Sequence, residues 1–205
     1  MSDTDLSVFI NCPFDEDYKP SFEALVFTIN SSGYRVRCAL EESDTGDLRF
    51  EKLCRLIAQS HRSVHDLSRV ELGDRGLPRF NMPFEFGLFL GARKFGGKTH
   101  RSKSALAMVK ERYRLPEYLS DAGGNDPDCH HGRPEEVIRI VRRYLSVRPD
   151  GSPLPGAARF IDEFNDFKLA LPDLATEFHF KRDEIDLLRE YRDYMALLTA
   201  FLNRA

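Results

Sequence analysis

The amino-acid sequence predicts an α/β protein, a parallel sheet with helices on both faces and further helices appended at the C-terminal end. Three observations predict it. Strand-like and helix-like segments alternate through the first 147 residues, the pattern of βα units. Each connection is long enough for a right-handed crossover. A stretch rich in Pro, Gly and Ser, 148–157 (RPDGSPLPGA), then reads as a linker, and helical periodicity takes over in 158–205.

Residues 7–11 (SVFIN) form a short apolar run, stopped by Asn11-Cys12-Pro13. Pro20 opens a helix with Phe22, Leu25, Val26 and Ile29 at i, i+3, i+4 and i+7, ended by Ser31-Ser32-Gly33. Residues 34–40 (YRVRCAL) alternate and read as a second strand. Gly46-Asp47 precedes a helix placing Phe50, Leu53, Cys54 and Ile57 on one face. A third, less apolar strand centres on Ser63-Val64, and residues 104–109 (SALAMV) make a fourth. Between them a helix starts at Pro83 and runs to about Phe95, closed by Gly96-Gly97. Pro134 begins a helix with Val137, Ile140, Val141, Tyr144 and Leu145 on one stripe.

After the linker, Phe160, Ile161, Phe164 and Phe167 form a stripe that Pro172 interrupts. A long final helix is predicted over 182–203. Ile185, Leu188, Tyr191, Met195, Leu198 and Leu202 form one stripe, and Leu187, Tyr194, Leu197 and Phe201 a second. So wide an apolar face must be covered, by the sheet domain or by another copy of the chain. A homo-oligomer through these helices is one expectation, and intramolecular packing the other.

The chain has 205 residues, 41% hydrophobic and 31% charged, enough apolar mass for a core. No run approaches the roughly 18 apolar residues of a membrane span, and residues 1–6 lack the basic and apolar pattern of a secretory signal. None of the four cysteines sits in a CxxC pair. A cytoplasmic protein without disulfides is the expectation. The net charge of −3 belongs to the tail. Residues 157–205 hold seven Lys/Arg against ten Asp/Glu, while residues 1–156 are balanced at 23 of each sign. Broad nucleic-acid binding is not expected from this balance, but an anionic nucleotide in a local pocket is compatible with it.

Parallel sheets bind ligands beyond the carboxyl ends of their strands, so the segments after each strand are where chemistry is sought. The one after the third strand, HDLSRVELGDRGLPRFNMPFEFGLFLGARKFGG, carries the strongest signal. Asp66 stands at the strand's end. Asn81 reads as the cap of a helix opened by Met82-Pro83, with Glu85 in the first turn. Glu85 is either an acid favoured by the helix dipole or a carboxyl flanked by Phe84, Phe86 and Phe89, whose burial would raise its pKa against the dipole.

The run Asp66-Leu67-Ser68, then Asn81, Glu85-Phe86-Gly87 and Gly91-Ala92-Arg93-Lys94, resembles the nucleoside 2-deoxyribosyltransferase-like superfamily. So does the start, Val8-Phe9-Ile10-Asn11-Cys12-Pro13-Phe14-Asp15. The chain is also similar to Toll/interleukin-1 receptor (TIR) domains in that opening, in Gly46 before the second helix, in the helix end Ile57-Ala58-Gln59-Ser60 and in the helix-borne glutamate. Both are flavodoxin-like three-layer folds, and the resemblance covers about residues 6–147.

The resemblance implies N-glycosidic chemistry with Glu85 as the catalytic carboxylate, acting at C1′ of a ribose or deoxyribose. It implies NAD or a related nucleotide as substrate rather than as cofactor, and a role as effector or signal producer in bacterial antiviral defence. Asp66 and Asn81 match positions that bind or orient sugar hydroxyls, and Asp15 and Ser68 fall in the same motifs as candidate substrate ligands. Phe9, Phe14 and Tyr18 could wall a base-binding slot, although Phe9, inside a strand, reads better as core. A nucleoside (deoxy)ribosyltransferase or nucleotide hydrolase is the alternative enzyme, and a non-catalytic nucleotide-sensing or assembly module the alternative to an enzyme.

Other motifs carry less. Asp126, Asp128, Cys129, His130 and His131 crowd one loop, but adjacent residues rarely point at one ion, so no metal is expected and a polar loop at the sheet's carboxyl edge is preferred. Ser120, Asp121 and Asn125 could reach the pocket from the same side. The basic run from Arg93 to Lys103 complements a helix end. Ser63, His65 and Asp66 cannot form a triad, because consecutive strand residues alternate faces.

Overall fold

A computed structural model describes residues 6–42, 46–69, 79–112, 119–120, 126–181 and 184–204. The elements are β1 (Ser7–Asn11), α1 (Lys19–Ser31), β2 (Arg35–Arg37), α2 (Arg49–Ala58), β3 (Arg62–Asp66), α3 (Asn81–Phe95), α4 (Lys98–Arg101), β4 (Ser104–Val109), β5 (Asp128–Cys129), α5 (Pro134–Leu145), α6 (Ala157–Glu177) and α7 (Tyr191–Leu202). The strands form one parallel sheet in the order β2-β1-β3-β4-β5. That is the flavodoxin-like order, whose switch point lies between β1 and β3.

Side-chain alternation splits the core. On β1, Val8 and Ile10 join Phe22, Leu25 and Ile29 of α1 and Val137, Ile140 and Val141 of α5. Phe9 points the other way, onto Leu56 and Ile57 of α2 and Phe89 of α3. β3 looks unpromising as a core strand because it reads RSVHD, yet Ser63, Val64, His65 and Asp66 are all buried. Their polar atoms are bonded within the protein, which is the condition for burying them.

Several expectations are corrected. A short fifth strand extends the sheet at 128–129, where a loop was expected. Two residues are too few to show a period. Pro172 lies inside α6 without ending it. On α2, Phe50 is exposed while Leu56 and Ile57 carry the buried face. The 148–157 segment is pinned rather than loose. Arg148 donates to the Ser31 carbonyl, Arg142 to those of Leu154 and Pro155, and Leu154 is buried.

The predicted last helix is shorter. α7 begins at Tyr191; residues 182 and 183 lie outside the described residues. Both of its apolar stripes turn inward. Leu187, Tyr191, Tyr194, Leu197 and Leu198 are buried against Phe160, Phe164 and Phe167 of α6 and Phe27 of α1, and Ile185, Leu188, Met195, Phe201 and Leu202 pack around them. The apolar face that motivated self-association there is therefore covered within the chain. No helix among the described residues is long and apolar enough to cross a membrane.

Candidate functional site

At the switch point the chain leaves β1 toward β2 and β3 toward β4, in opposite directions along the sheet, the place where open parallel sheets take a ligand. Asn11, the last residue of β1, clips three elements together. Its Nδ2 donates to the Met82 carbonyl of α3 at 2.8 Å and to His65 Nδ1 of β3 at 2.9 Å. A carbonyl can only accept, so the amide orientation is fixed, and His65 must carry its proton on Nε2, 2.8 Å from Ser63 Oγ. Burial, among the rings of Phe9, Phe86 and Phe89, pulls the His65 pKa down to about 3. It is a neutral structural histidine.

Asp66 is wholly buried. Its Oδ2 accepts from the Tyr18 hydroxyl at 2.8 Å and faces His130 Nε2 at 2.9 Å, and its Oδ1 accepts from the Ser68 amide at 3.0 Å. His130 Nδ1 accepts from the Gly132 amide at 3.0 Å. The imidazole proton therefore sits on Nε2 and is donated to Asp66. Ser68 Oγ, 3.1 Å from that same nitrogen, can only share the proton as an acceptor. Ser68, His130 and Asp66 thus sit together but do not form a nucleophilic triad, because no lone pair of His130 faces the serine. Positive φ at His131 and Gly132 (54° and 69°) makes the turn that aims His130 inward. Burial beside Asp66 raises the Tyr18 phenol well above its ordinary pKa, so Tyr18 stays a donor.

Asp15 is clamped by Arg69, whose Nε and Nη2 reach its two oxygens at 3.1 and 2.7 Å, and by Arg79 at 3.3 Å. Burial pushes its carboxyl up, but Arg69, the Tyr18 amide and Arg79 together hold it below the usual range.

Glu85 is different. α3 begins at Asn81, so Glu85 is its fifth residue and lies beyond the first turn, contrary to expectation. The dipole's favour fades there. Burial lifts its pKa to about 7, opposed by the positive charge of Arg49. Cys12, just past β1, registers the convergence of the site. Burial first, then the negative charges of Asp66, Cys38, Glu85 and Asp15, push its thiol well above the ordinary value. Three of the carboxyls singled out by sequence, Asp66, Glu85 and Asp15, thus act electrostatically on one group just past β1, and burial leaves Cys12 an inert thiol.

The remaining candidates divide. Asn81 is exposed at the start of α3, and no side chain caps that helix, so the expected Asn81 cap is absent. Asp66 is sealed in its bonds and exposes no surface, so a direct contact with sugar hydroxyls needs its shell to open. Phe9 is 1% exposed in the core, which removes it from a base-binding slot. Phe14 is half-buried, its ring edge-on to Phe22 at 5.1 Å. Of the three flanking Phe residues, Phe86 and Phe89 are buried, whereas Phe84 is exposed against Phe50. Ser120 is exposed, and Asp121 and Asn125 lie outside the described residues.

Sequence reasoning missed His130 as the partner of Asp66, and Arg49 and Arg69 as charged partners of candidate acids. The one available signal was for Arg69, a guanidinium directly after Asp66-Leu67-Ser68. No group of three or more His, Cys, Asp or Glu among the described residues is placed to hold a metal ion. Comparison with protein-family profiles, curated proteins and solved structures finds no match.

Proposed function

We propose that this protein is an N-glycosidase acting on a nucleotide, with the nicotinamide–ribose bond of NAD as the leading substrate and Glu85 as the catalytic carboxyl. One observation carries the reading: a half-buried glutamate, its pKa lifted by burial to about 7, on the helix that follows β3 at the switch point. Cleavage of an N-glycosidic bond leaves positive charge on the sugar. A preorganised carboxylate in a site of low dielectric stabilises that charge where water would do so poorly. Nicotinamide leaves from NAD without prior protonation, so one ionised carboxylate suffices.

The same pKa favours a second reading. Near neutral pH about half of the Glu85 population is protonated, and a carboxylic acid can protonate a departing base that is neutral in the substrate. A nucleoside or nucleotide hydrolase or transferase then fits. The sign of the pH dependence separates the two. NAD cleavage rises with pH through about 7, while cleavage that needs the acid falls.

Incubation with NAD and chromatography of released nicotinamide tests the first reading, and base exchange between two nucleosides the second. Glu85→Gln should abolish either turnover. Equal turnover in Glu85→Gln overturns Glu85 as the catalytic carboxyl, and no turnover by the wild-type protein with any nucleotide or nucleoside overturns the proposal in favour of a binding module.

A further inference from the structure

Most large hydrophobic side chains of the described residues are buried, yet four of the exposed ones stand at the starts of the two helices that carry Arg49 and Glu85. Leu48 and Phe50 stand at the start of α2, Phe80 and Phe84 at the start of α3. The Phe50 and Phe84 rings meet at 6.3 Å with a tilt of 36°, each about half exposed. Scattered exposed apolar residues need no explanation, but two exposed rings in contact with each other do. Arg49, next to Phe50 in sequence, lies near enough to Glu85, next to Phe84, for its charge to oppose the rise in that carboxyl's pKa.

Arg49 is itself unusual. It is exposed and makes no hydrogen bond or ion pair among the described residues. Nearby arginines are occupied. Arg37 is held by Glu41, and Arg55 by Glu42 and Asp47. Arg69 and Arg79 are held by Asp15. Arg49 thus offers a guanidinium without a bonded partner among the described residues, next in sequence to one ring of the aromatic ledge and near enough for its charge to act on the candidate carboxyl. A guanidinium binds phosphate oxygens in a bidentate fork, and an aromatic face accepts a nucleobase by stacking. A phosphate approaching Glu85 unaided would meet a like charge, and Arg49 lies where it offsets that repulsion.

We infer that Arg49 and the Phe50–Phe84 ledge form a subsite that admits a phosphorylated nucleotide, with a ring stacked on the ledge and a phosphate on Arg49, and disfavours the bare nucleoside. This rests on the proposal that the site takes a nucleotide, and it adds the requirement for phosphate.

The test is equilibrium binding to Glu85→Gln protein, which removes turnover, using two matched pairs: adenosine 5′-monophosphate with adenosine, and nicotinamide mononucleotide with nicotinamide riboside. The phosphorylated member of at least one pair should bind 10-fold or more tightly. Arg49→Met should erase that gap without weakening the nucleoside, whereas Phe50→Ser with Phe84→Ser should weaken both members together. All three side chains are exposed, so these variants should melt with the parent protein. Equal affinity within both pairs, no binding by any probe, or an unchanged gap in Arg49→Met overturns the subsite. So does concentration-dependent self-association, seen by light scattering, that the two Ser changes abolish while nucleotide binding is unaltered. The ledge would then be an interface between copies. If the phosphate gap depends on Arg49 but the wild-type protein cleaves nothing, the subsite stands and the glycosidase reading fails. If NAD is cleaved with the same KM in Arg49→Met, the reverse holds.

Discussion

The carboxyl ends of β1 and β3 and the C-terminal helices are both packed, but from opposite materials. At the strand ends the buried groups are Asn11, His65, Asp66 and His130, each tied to a named partner. Where α6 and α7 lie on α1, they are Phe27, Phe160, Phe167, Tyr194 and Leu197. Buried polar groups fix positions while adding little net stability. Buried aromatic groups stabilise without aiming anything at a ligand. The difference suggests a division of labour, with the tail stabilising a fold whose strand ends hold groups in place. Changes in one region should then move activity, and changes in the other should move stability.

Glu85→Gln should give the largest effect on activity, a loss in kcat of about 10²–10⁴. Its effect on stability should have the opposite sign. The folded-state pKa of about 7 lies above the ordinary 4.5. Between those values the folded protein binds more protons than the unfolded chain, so stability falls as pH rises from about 4.5 to 7. Above pH 7 the buried carboxylate is a net cost, which Gln removes. Denaturant melts at pH 5 and pH 8 should show the variant gaining about 2 kcal/mol relative to wild type at the higher pH. A variant destabilised at both pH values would mean that Glu85 holds the fold together.

Phe167→Ala tests the other region. The ring is fully buried, stacked on Phe27 at 5.9 Å and touching Tyr194 and Phe201. Loss of that contact and the cavity left behind should cost about 3–5 kcal/mol, read as a drop in thermal midpoint. Where the variant is still folded, the pH midpoint of turnover should stay with that of wild type. A shifted midpoint would show that the tail reaches Glu85.

The two regions were not equally legible in the sequence. The strands β1 and β4 and the helices α1 and α5 follow from periodicity, because burying one stripe or both strand faces leaves a mark on residue order. Asp15, Asp66 and Glu85 were legible as candidates from strand ends and a motif. What the sequence hid is polar burial. Val64 alone makes β3 look like a strand, since Ser63, His65 and Asp66 are buried by virtue of partners up to 64 residues away, and His130 directly follows a strand of two residues. The tail misled in a different way. Its stripes correctly demanded cover, but periodicity cannot tell whether the cover is α1 and α6 or a second chain.

Tyr18→Phe probes how much of the position at the strand ends one hydrogen bond supplies. It deletes the donor to Asp66 Oδ2 and keeps the ring, which lies edge-on to His130 at 6.3 Å. The expected cost is about 1–2 kcal/mol in stability, and about a 10-fold fall in kcat if Asp66 and its shell set the shape of the site. A stability loss with unchanged kcat and unchanged pH profile would reduce Asp66, Tyr18 and His130 to a buried polar strut.

The smallest effect is expected where the two regions touch. Arg192 of α7 donates from Nε and Nη2 to the Glu41 carbonyl at 3.3 and 3.2 Å, on the segment leading toward Arg49. Both contacts are exposed and near the long limit for a hydrogen bond. Arg192→Ala should therefore cost no more than about 0.5 kcal/mol and leave kcat/KM for NAD within about two-fold. The buried neighbour on that helix, Tyr191, gives the contrast. Burial first, then Cys38 beside it, raises its phenol far above the ordinary range, so Tyr191→Ala should destabilise strongly through lost packing. If Arg192→Ala instead raised KM ten-fold without lowering the melting temperature, the tail would be positioning the rim of the site through Glu41. The division between a stabilising region and a positioning one would then fail at this exposed link.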